Sequence, residues 1–385
     1  MIEKALQGDR RYWTWLLILG AVIAAGTGFY LKQFHTGLTI TGLSRDVSWG
    51  FYIAQFTFLV GVAASAVMLV LPYYLHNYKA FGKITILGEF VAIAAVIMCV
   101  TFIFVDLGQP FRMLNIFLHP SPSSLMFWDT IALGGYMCLN VLISYITLKA
   151  ESKTLPPPKW IKPIILISIP WAISIHTVTA FLYSGLVARP FWMTAVLAPR
   201  FLASAFASGP SLLILLCLIL KRFASFDVGR EALRKLAEIV TYAMTVNVFF
   251  ILMEFFTTFY SGIPEHAEHF DYLIHGLEGK HGLTLWMWIS WIIAAATLVL
   301  LINPGTRRSE KILPWTALLV VVSIWIDKGM GMVVTGFVPT PLGHITEYFP
   351  TLPELMISLA IYGMGMFIVT IFYKVALSVR SAVAR

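Results

Sequence analysis

Residues 47–75 read VSWGFYIAQFTFLVGVAASAVMLVLPYYL, an apolar run with a few hydroxyl and amide side chains and no charge. Rising about 1.5 Å per residue, a helix of this length exceeds the roughly 30 Å hydrocarbon core of a bilayer. Nine further runs of the same kind flank it, at 12–31, 81–105, 124–148, 163–187, 200–220, 233–260, 283–302, 312–337 and 352–374. With 59% hydrophobic residues, 12% charged residues and a mean hydropathy of +0.82, the 385-residue chain has too little polar surface to wrap a soluble globule. The expected fold is an all-α integral membrane protein of ten transmembrane helices, one polytopic domain over residues 1–385. Run 12–31 is longer than a signal-peptide core and is not followed by a small-residue cleavage site, so it reads as a retained first helix.

The net charge of +8 is explained by topology and does not point to nucleic acid. Of 27 Lys and Arg residues, 20 fall on one side when the N-terminus is placed in the cytoplasm. Lys32, Arg45, Arg112, Arg189, Arg200 and Lys280 fall on the other side, and Lys328 lies within a span. By the positive-inside rule both termini are cytoplasmic, and loops 106–124 and 265–282 face outward.

A faint internal repeat relates the second to fifth runs to the sixth to ninth. Glu89 and Asp106 in the first block align with Glu238 and Glu254 in the second. MFWD from Met126 aligns with LWMWISW from Leu285, and IPW from Ile169 with LPW from Leu313. Taken as a repeat, this makes two four-helix bundles, 47–187 and 200–337, flanked by the first and tenth spans; taken as chance similarity among apolar helices, it makes no such division.

An ionisable group at bilayer depth costs at least about 2.5–3.5 kcal/mol on insertion scales. Five stand out inside spans: Glu89, His176, Glu254, Asp327 and Lys328. One reading pairs them as staples between helices, with Glu254 the natural partner of Lys328. The other makes them a chain of proton carriers with His176 as relay, the second bundle providing the path. Cys99, Cys138 and Cys217 each stand alone in an apolar run, and His176 is the one histidine well inside a span. No haem, iron–sulfur cluster or metal bound by this chain is expected.

The most concentrated polar chemistry lies at 106–129, DLGQPFRMLNIFLHPSPSSLMFWD. Asp106 ends the third span, Gly108 and Pro110 break it, Arg112 is placed to fold back toward Asp106 or Asp129, and His119 heads the following loop. A quinone needs an apolar slot with a donor or proton carrier at each carbonyl, and Asp129 and His119 suit that role. The competing reading is that Asp106 and Arg112 only cap a helix end; Asp129, deeper in its span, is harder to explain that way.

The motif D-L-G-x-P-x-R at Asp106 to Arg112, followed by S-x-M-x-W-D at Ser124 to Asp129, resembles the NrfD/PsrC family of quinone-reactive membrane subunits. The run from Asp46 and the positions of His176, Glu254 and Asp327 resemble its ten-helix branch. The resemblance covers essentially the whole chain. It implies two four-helix bundles and a menaquinone or menaquinol substrate near the extracytoplasmic face of a prokaryotic cytoplasmic membrane. Electrons would be exchanged with an extracytoplasmic ferredoxin-like iron–sulfur subunit, beside a multihaem cytochrome c and further membrane subunits, in sulfite or sulfur metabolism. It carries Asp129 and His119 over as catalytic candidates, and Arg112, Asp106, Trp128, Trp49 and Tyr52 as quinone-binding candidates. The absence of a histidine in the second span leaves the quinone's hydrogen-bond set open. An ion-coupled transporter and a structural membrane anchor are the alternative functions.

Overall fold

The structure, a computed structural model, describes residues 2–76 and 78–383. Ten helices long and apolar enough to cross a membrane are found among them: α1 (Arg10–Thr36), α2 (Phe51–Leu75), α3 (Thr85–Asp106), α4 (Leu125–Ser152), α5 (Ile161–Ser184), α6 (Leu197–Phe223), α7 (Arg230–Ser261), α8 (Thr284–Ile302), α9 (Leu313–Thr335) and α10 (Leu352–Val383). Each apolar run is one helix, with ends displaced by a few residues. The tenth extends furthest beyond its run, to Val383, and the first extends at both ends. Asp9 caps it, accepting from the Tyr12 amide at 3.0 Å. It continues to Thr36 because Gln33 is buried and donates its amide to the Val105 carbonyl at 2.7 Å. Successive helices alternate in direction. Their ends define a basic face, with the chain termini, and a long-loop face that carries segments 107–124 and 262–283.

The run that decides the fold also sits at its centre. Every residue from Phe51 to Ala63 is buried, so α2 is covered on all sides, as a helix apolar all round must be. It packs on α3 within one group, α2–α5, and on α6 and α9 of the other group, α6–α9; α5 adds a contact to α6. The first and tenth helices belong to neither group. They pair with each other along their length, and α10 lies on α3 and α4. The pair approaches closely at Gly26, where a Cβ would stand 2.5 Å from the Met356 carbonyl oxygen.

The two blocks of the faint repeat do not match in environment. Glu89 is buried, whereas Glu238 lies near the surface and accepts from Lys235 at 3.1 Å. Two departures from α-geometry mark the interior. Ala64–Ala66 of α2 tighten into a 3₁₀ turn, and Trp325–Gly331 of α9 widen into a π turn.

The acidic, histidine-rich loop at 265–282 contains an amphipathic helix, Pro264–Ile274, that buries His269, Phe270, Tyr272 and Leu273. The His269 Nδ1–H points at the carbonyls of Thr335 (3.0 Å) and Val338 (2.8 Å), groups left without helical partners where α9 ends. Burial pushes the His269 pKa down to about 4 against the opposing pull of the two carbonyls, and the nearby His266 and Arg189 lower it further. An unfolded histidine takes up its proton near pH 6.5, whereas the native one resists until about pH 4. The contribution of His269 is therefore complete above pH 6.5 and is lost as pH falls to about 4. Hydrogen exchange of residues 264–274 should accelerate across that window, and His269→Gln should flatten the dependence; an unchanged pH profile in the variant would refute this account.

Candidate functional site

Three residues of α5 spaced by three and four, His176, Thr179 and Tyr183, fall on one face and are fully buried. Thr179 Oγ1 donates to Asp129 Oδ1 of α4 at 2.6 Å. Asp129 is only 4% exposed, and its other oxygen finds no hydrogen-bond partner among the described residues. One helical turn further out, the Tyr183 hydroxyl shares a hydrogen bond with Thr57 of α2. Its ring lies against Trp49 (5.4 Å), Trp192 (5.0 Å) and Phe201 (6.0 Å). Trp49 stacks on Trp192 at 5.7 Å, and the Trp192 indole donates to the Met332 carbonyl at 2.9 Å. An aromatic layer thus closes the long-loop end of the seam between the bundles, with Asp129 and Thr179 beside it.

The remaining residues of the 106–129 stretch do not gather around Asp129. Pro110 opens a new turn, Pro110–Leu114, which runs into Asn115–Leu118 and carries the chain outward. Arg112 therefore does not fold back on Asp106 or Asp129. Both it and His119 are exposed and take no ion pair or hydrogen bond through their side chains among the described residues. Phe111, Leu114, Phe117 and Leu118 of the same segment are each more than half exposed. Trp128 is also at the surface, its indole donating to the Pro122 carbonyl at 2.7 Å, because it is one residue, about 100° of helix, from Asp129. Tyr52 is buried but turned toward α1, its hydroxyl donating to Gln33 Oε1 at 2.7 Å. Asp106 caps nothing: its Oδ1 is enclosed without a partner.

The buried charges of the second bundle organise around a residue that charge counting assigns to a loop. Arg200, on the fourth position of α6, lies inside the protein. It forms an ion pair with Glu254 of α7, and its Nη2 donates to both oxygens of Asp327 at 2.8 and 2.7 Å. Glu254 therefore pairs with Arg200, not with Lys328. The π turn sets Asp327 toward Arg200 and sends Lys328 to the junction of α2, α6 and α9. There its ammonium donates to the Phe201 carbonyl at 3.3 Å and stands 4.4 Å above the Phe201 ring. Gly61 of α2 makes room, since a Cβ there would lie 3.3 Å from Lys328 Nζ.

The five ionisable residues that stood out in the sequence are thus divided between bundles. Glu254, Asp327 and Lys328 belong to the second. Glu89 belongs to the first, accepting from Ser144 at 3.0 Å near the basic face. His176 lies between these levels, and neither ring nitrogen has a hydrogen-bond partner among the described residues. The residues that sequence reasoning missed are Arg200, Thr179 and Tyr183. Apolar neighbours Leu197 and Phe201 were the one sign that Arg200 is helical; the spacing 176, 179, 183 was the sign of a shared polar face.

Fold and interior together define a polytopic membrane protein that encloses titratable side chains at several depths. The sequence profile of the polysulphide reductase NrfD family matches residues 39–338, and the protein belongs to that family. It is 27% identical over 346 residues to a putative dimethyl sulfoxide reductase membrane subunit of Halobacterium salinarum, covering 84% of this chain and 77% of the relative. It is 23% identical over 333 residues to the Hdr-like menaquinol oxidoreductase integral membrane subunit of Archaeoglobus fulgidus, covering 84% and 80%. To a selenate reductase subunit of Mesobacillus selenatarsenatis it is 22% identical over 344 residues, covering 80% of each.

Replacing Arg200 by Met should leave two buried carboxylates facing each other and destabilise the chain by about 3–5 kcal/mol. Thermal unfolding in detergent measures the loss. Adding Glu254→Gln and Asp327→Asn should recover most of it; equal stability of Arg200→Met and the parent would show that the pairing carries no weight.

Proposed function

We propose that the chain is the quinone-interacting membrane subunit of an oxidoreductase complex, with Asp129 as the group that exchanges a proton with the quinone. The observation that carries this reading is the state of that carboxylate: buried near the long-loop end of α4, fixed at one oxygen by Thr179 and unpartnered at the other. A quinol supplies two electrons and two protons on oxidation, so the protein must receive protons where the electrons leave. Thr179 holds the carboxylate in one orientation, and the aromatic layer of Trp49, Tyr183 and Trp192 shields it from the aqueous side. The exposed apolar side chains of 110–118 form a surface suited to the bilayer boundary beside α4, where an isoprenoid tail enters.

His119 and Arg112 then serve at the rim: His119 passes protons to water, and Arg112 faces a docked partner. Asp106, Tyr52 and Trp128 border this end of the first bundle. His176 and Glu89 lie successively deeper in the same bundle and offer a route for protons toward the basic face. The charge asymmetry supports placing the long-loop face outside the cytoplasm, with both termini inside, in a prokaryotic cytoplasmic membrane. An iron–sulfur subunit docked there supplies the electron path.

Menaquinone as substrate is supported by the name of the Archaeoglobus relative, a menaquinol oxidoreductase component. The run from DVSWG to DLGQP most resembles DsrP of the DsrMKJOP complex, which supports a place in sulfite or sulfur metabolism beside a multihaem cytochrome c and further membrane subunits. The transporter alternative draws on the charges of the second bundle, but Arg200 holds both carboxylates there, an arrangement suited to a staple.

Asp129→Asn keeps the shape of the side chain and removes its basicity. Quinol-dependent electron transfer by the assembled complex should fall about 100-fold or more, with the set of assembled proteins unchanged on gel filtration. Full turnover by an intact complex carrying this substitution would overturn the assignment.

A further inference from the structure

On the basic face, a pocket of about 360 Å³ opens between α6, α7 and the segment joining α8 to α9. Its polar wall carries Arg230, Arg234, Arg307, Arg308 and Lys311. Local structure brings them together. Asn303 Oδ1 accepts from the Gly305 amide at 2.9 Å and starts a single turn, Pro304–Arg307, that ends with Arg307 beside Arg308. Arg307 donates at 3.2 Å to the Leu301 carbonyl near the end of α8, which also accepts from Thr241 Oγ1 at 3.4 Å. Arg230 and Arg234 lie one turn apart on the first turns of α7.

The lining includes one carboxylate, Glu310, and it is already engaged. Glu310 Oε1 accepts from Arg230 Nε at 2.8 Å, and its Oε2 lies 3.6 Å from Lys221. Among the described residues, Arg234, Arg308 and Lys311 have no acidic partner. Positive-inside topology accounts for basic residues somewhere on this face. It does not account for their convergence on a cavity whose other wall is apolar, made of Leu218, Leu233 and Leu313. All three leucines belong to membrane-crossing helices, within a few residues of their ends. Trp315, 69% exposed two residues beyond Leu313, marks the same interfacial level.

From this cavity we infer a binding site for the phosphate-bearing headgroup of an anionic phospholipid, which the paired guanidinium groups hold while the leucines receive the glycerol and upper acyl chain. Guanidinium forks match phosphate oxygens, and basic pockets between helices at the cytoplasmic surface suit such headgroups. A free phosphate offers the same oxygens but gains nothing from the leucines. The inference does not depend on the quinone reading, because no residue of that site takes part.

The test uses the full chain in nanodiscs of phosphatidylcholine containing spin-labelled phosphatidylglycerol, compared with spin-labelled phosphatidylcholine. The immobilised fraction should favour phosphatidylglycerol by about tenfold. Arg234→Gln, Arg308→Gln and Lys311→Gln together should abolish that preference. Lys149→Gln, Lys153→Gln and Lys159→Gln, which remove the same charge from the end of α4 and the loop after it, should preserve it. Equal loss in both triple variants would reduce the effect to surface charge and overturn the site, as would the absence of any preference in the parent chain. Thermal stabilisation by inorganic phosphate that the pocket variant lacks, without a lipid preference, would assign the pocket to soluble phosphate and overturn the lipid.

Discussion

Charge burial constrains this structure more than any other interaction. Arg200, Glu254, Asp327 and Lys328 place two cations and two anions inside the second bundle, and each would be costly alone in a low-dielectric interior. Together they are neutral, and the geometry of three helices follows from keeping them so. α6 must present Arg200 where α7 presents Glu254 and α9 presents Asp327, which fixes the rotation of all three. The π turn of α9 is a consequence: it lets two adjacent residues of opposite charge reach different partners, the Arg200 guanidinium and the Phe201 carbonyl. Neutral ion sets of this kind gain less stability than apolar packing would, but they forbid rotations that packing alone tolerates.

That fixed bundle meets the other through α2, and the seam explains why α2 is apolar on every face. Its few polar groups are directed toward different neighbours. Gln55 Oε1 accepts from Trp325 of α9 and Tyr362 of α10, both at 2.7 Å, and Thr57 pairs with Tyr183 of α5. The Lys328 ammonium beside Gly61 carries the charge of the second bundle to the edge of the first. Lys328 thus links α9 to α2, and the Thr57–Tyr183 hydrogen bond links α2 to the helix whose Thr179 orients Asp129.

The ten helices were legible because hydropathy over twenty or more residues is a strong, local signal, and lipid allows few other backbones. The inward placement of Asp129 was legible for a related reason, since a carboxylate a turn inside a span has to face protein. What escaped was side-chain direction at helix ends. Arg112 reads as a return to Asp106 only if the chain after Pro110 turns inward; it turns outward and leaves Arg112 exposed beside Phe111, Leu114, Phe117 and Leu118. Arg200 reads as a loop charge because apolar counting starts the span at its own position, whereas the helix begins at Leu197. The partner of Lys328 was illegible because an α-helical turn was assumed where a π turn exists. The helix at Pro264–Ile274 escaped for want of length and hydropathy, its burial resting on tertiary contact with Phe191 and Phe255.

The two bundles hold their buried carboxylates in different ways. In the second bundle both carboxylates are ion-paired: Arg200 holds both oxygens of Asp327 and one oxygen of Glu254. In the first, no cation pairs with the buried ionisable groups among the described residues. Asp129 has one oxygen engaged, Glu89 accepts a single hydroxyl, and His176 has neither nitrogen engaged. Unsatisfied polar groups in an apolar interior are costly, and a fold that could have filled these positions with leucine retains them. Ion pairing thus ties α6, α7 and α9 to one another, whereas Glu89 of α3 and Asp129 of α4 are each held by a single hydroxyl of the next helix, Ser144 of α4 and Thr179 of α5.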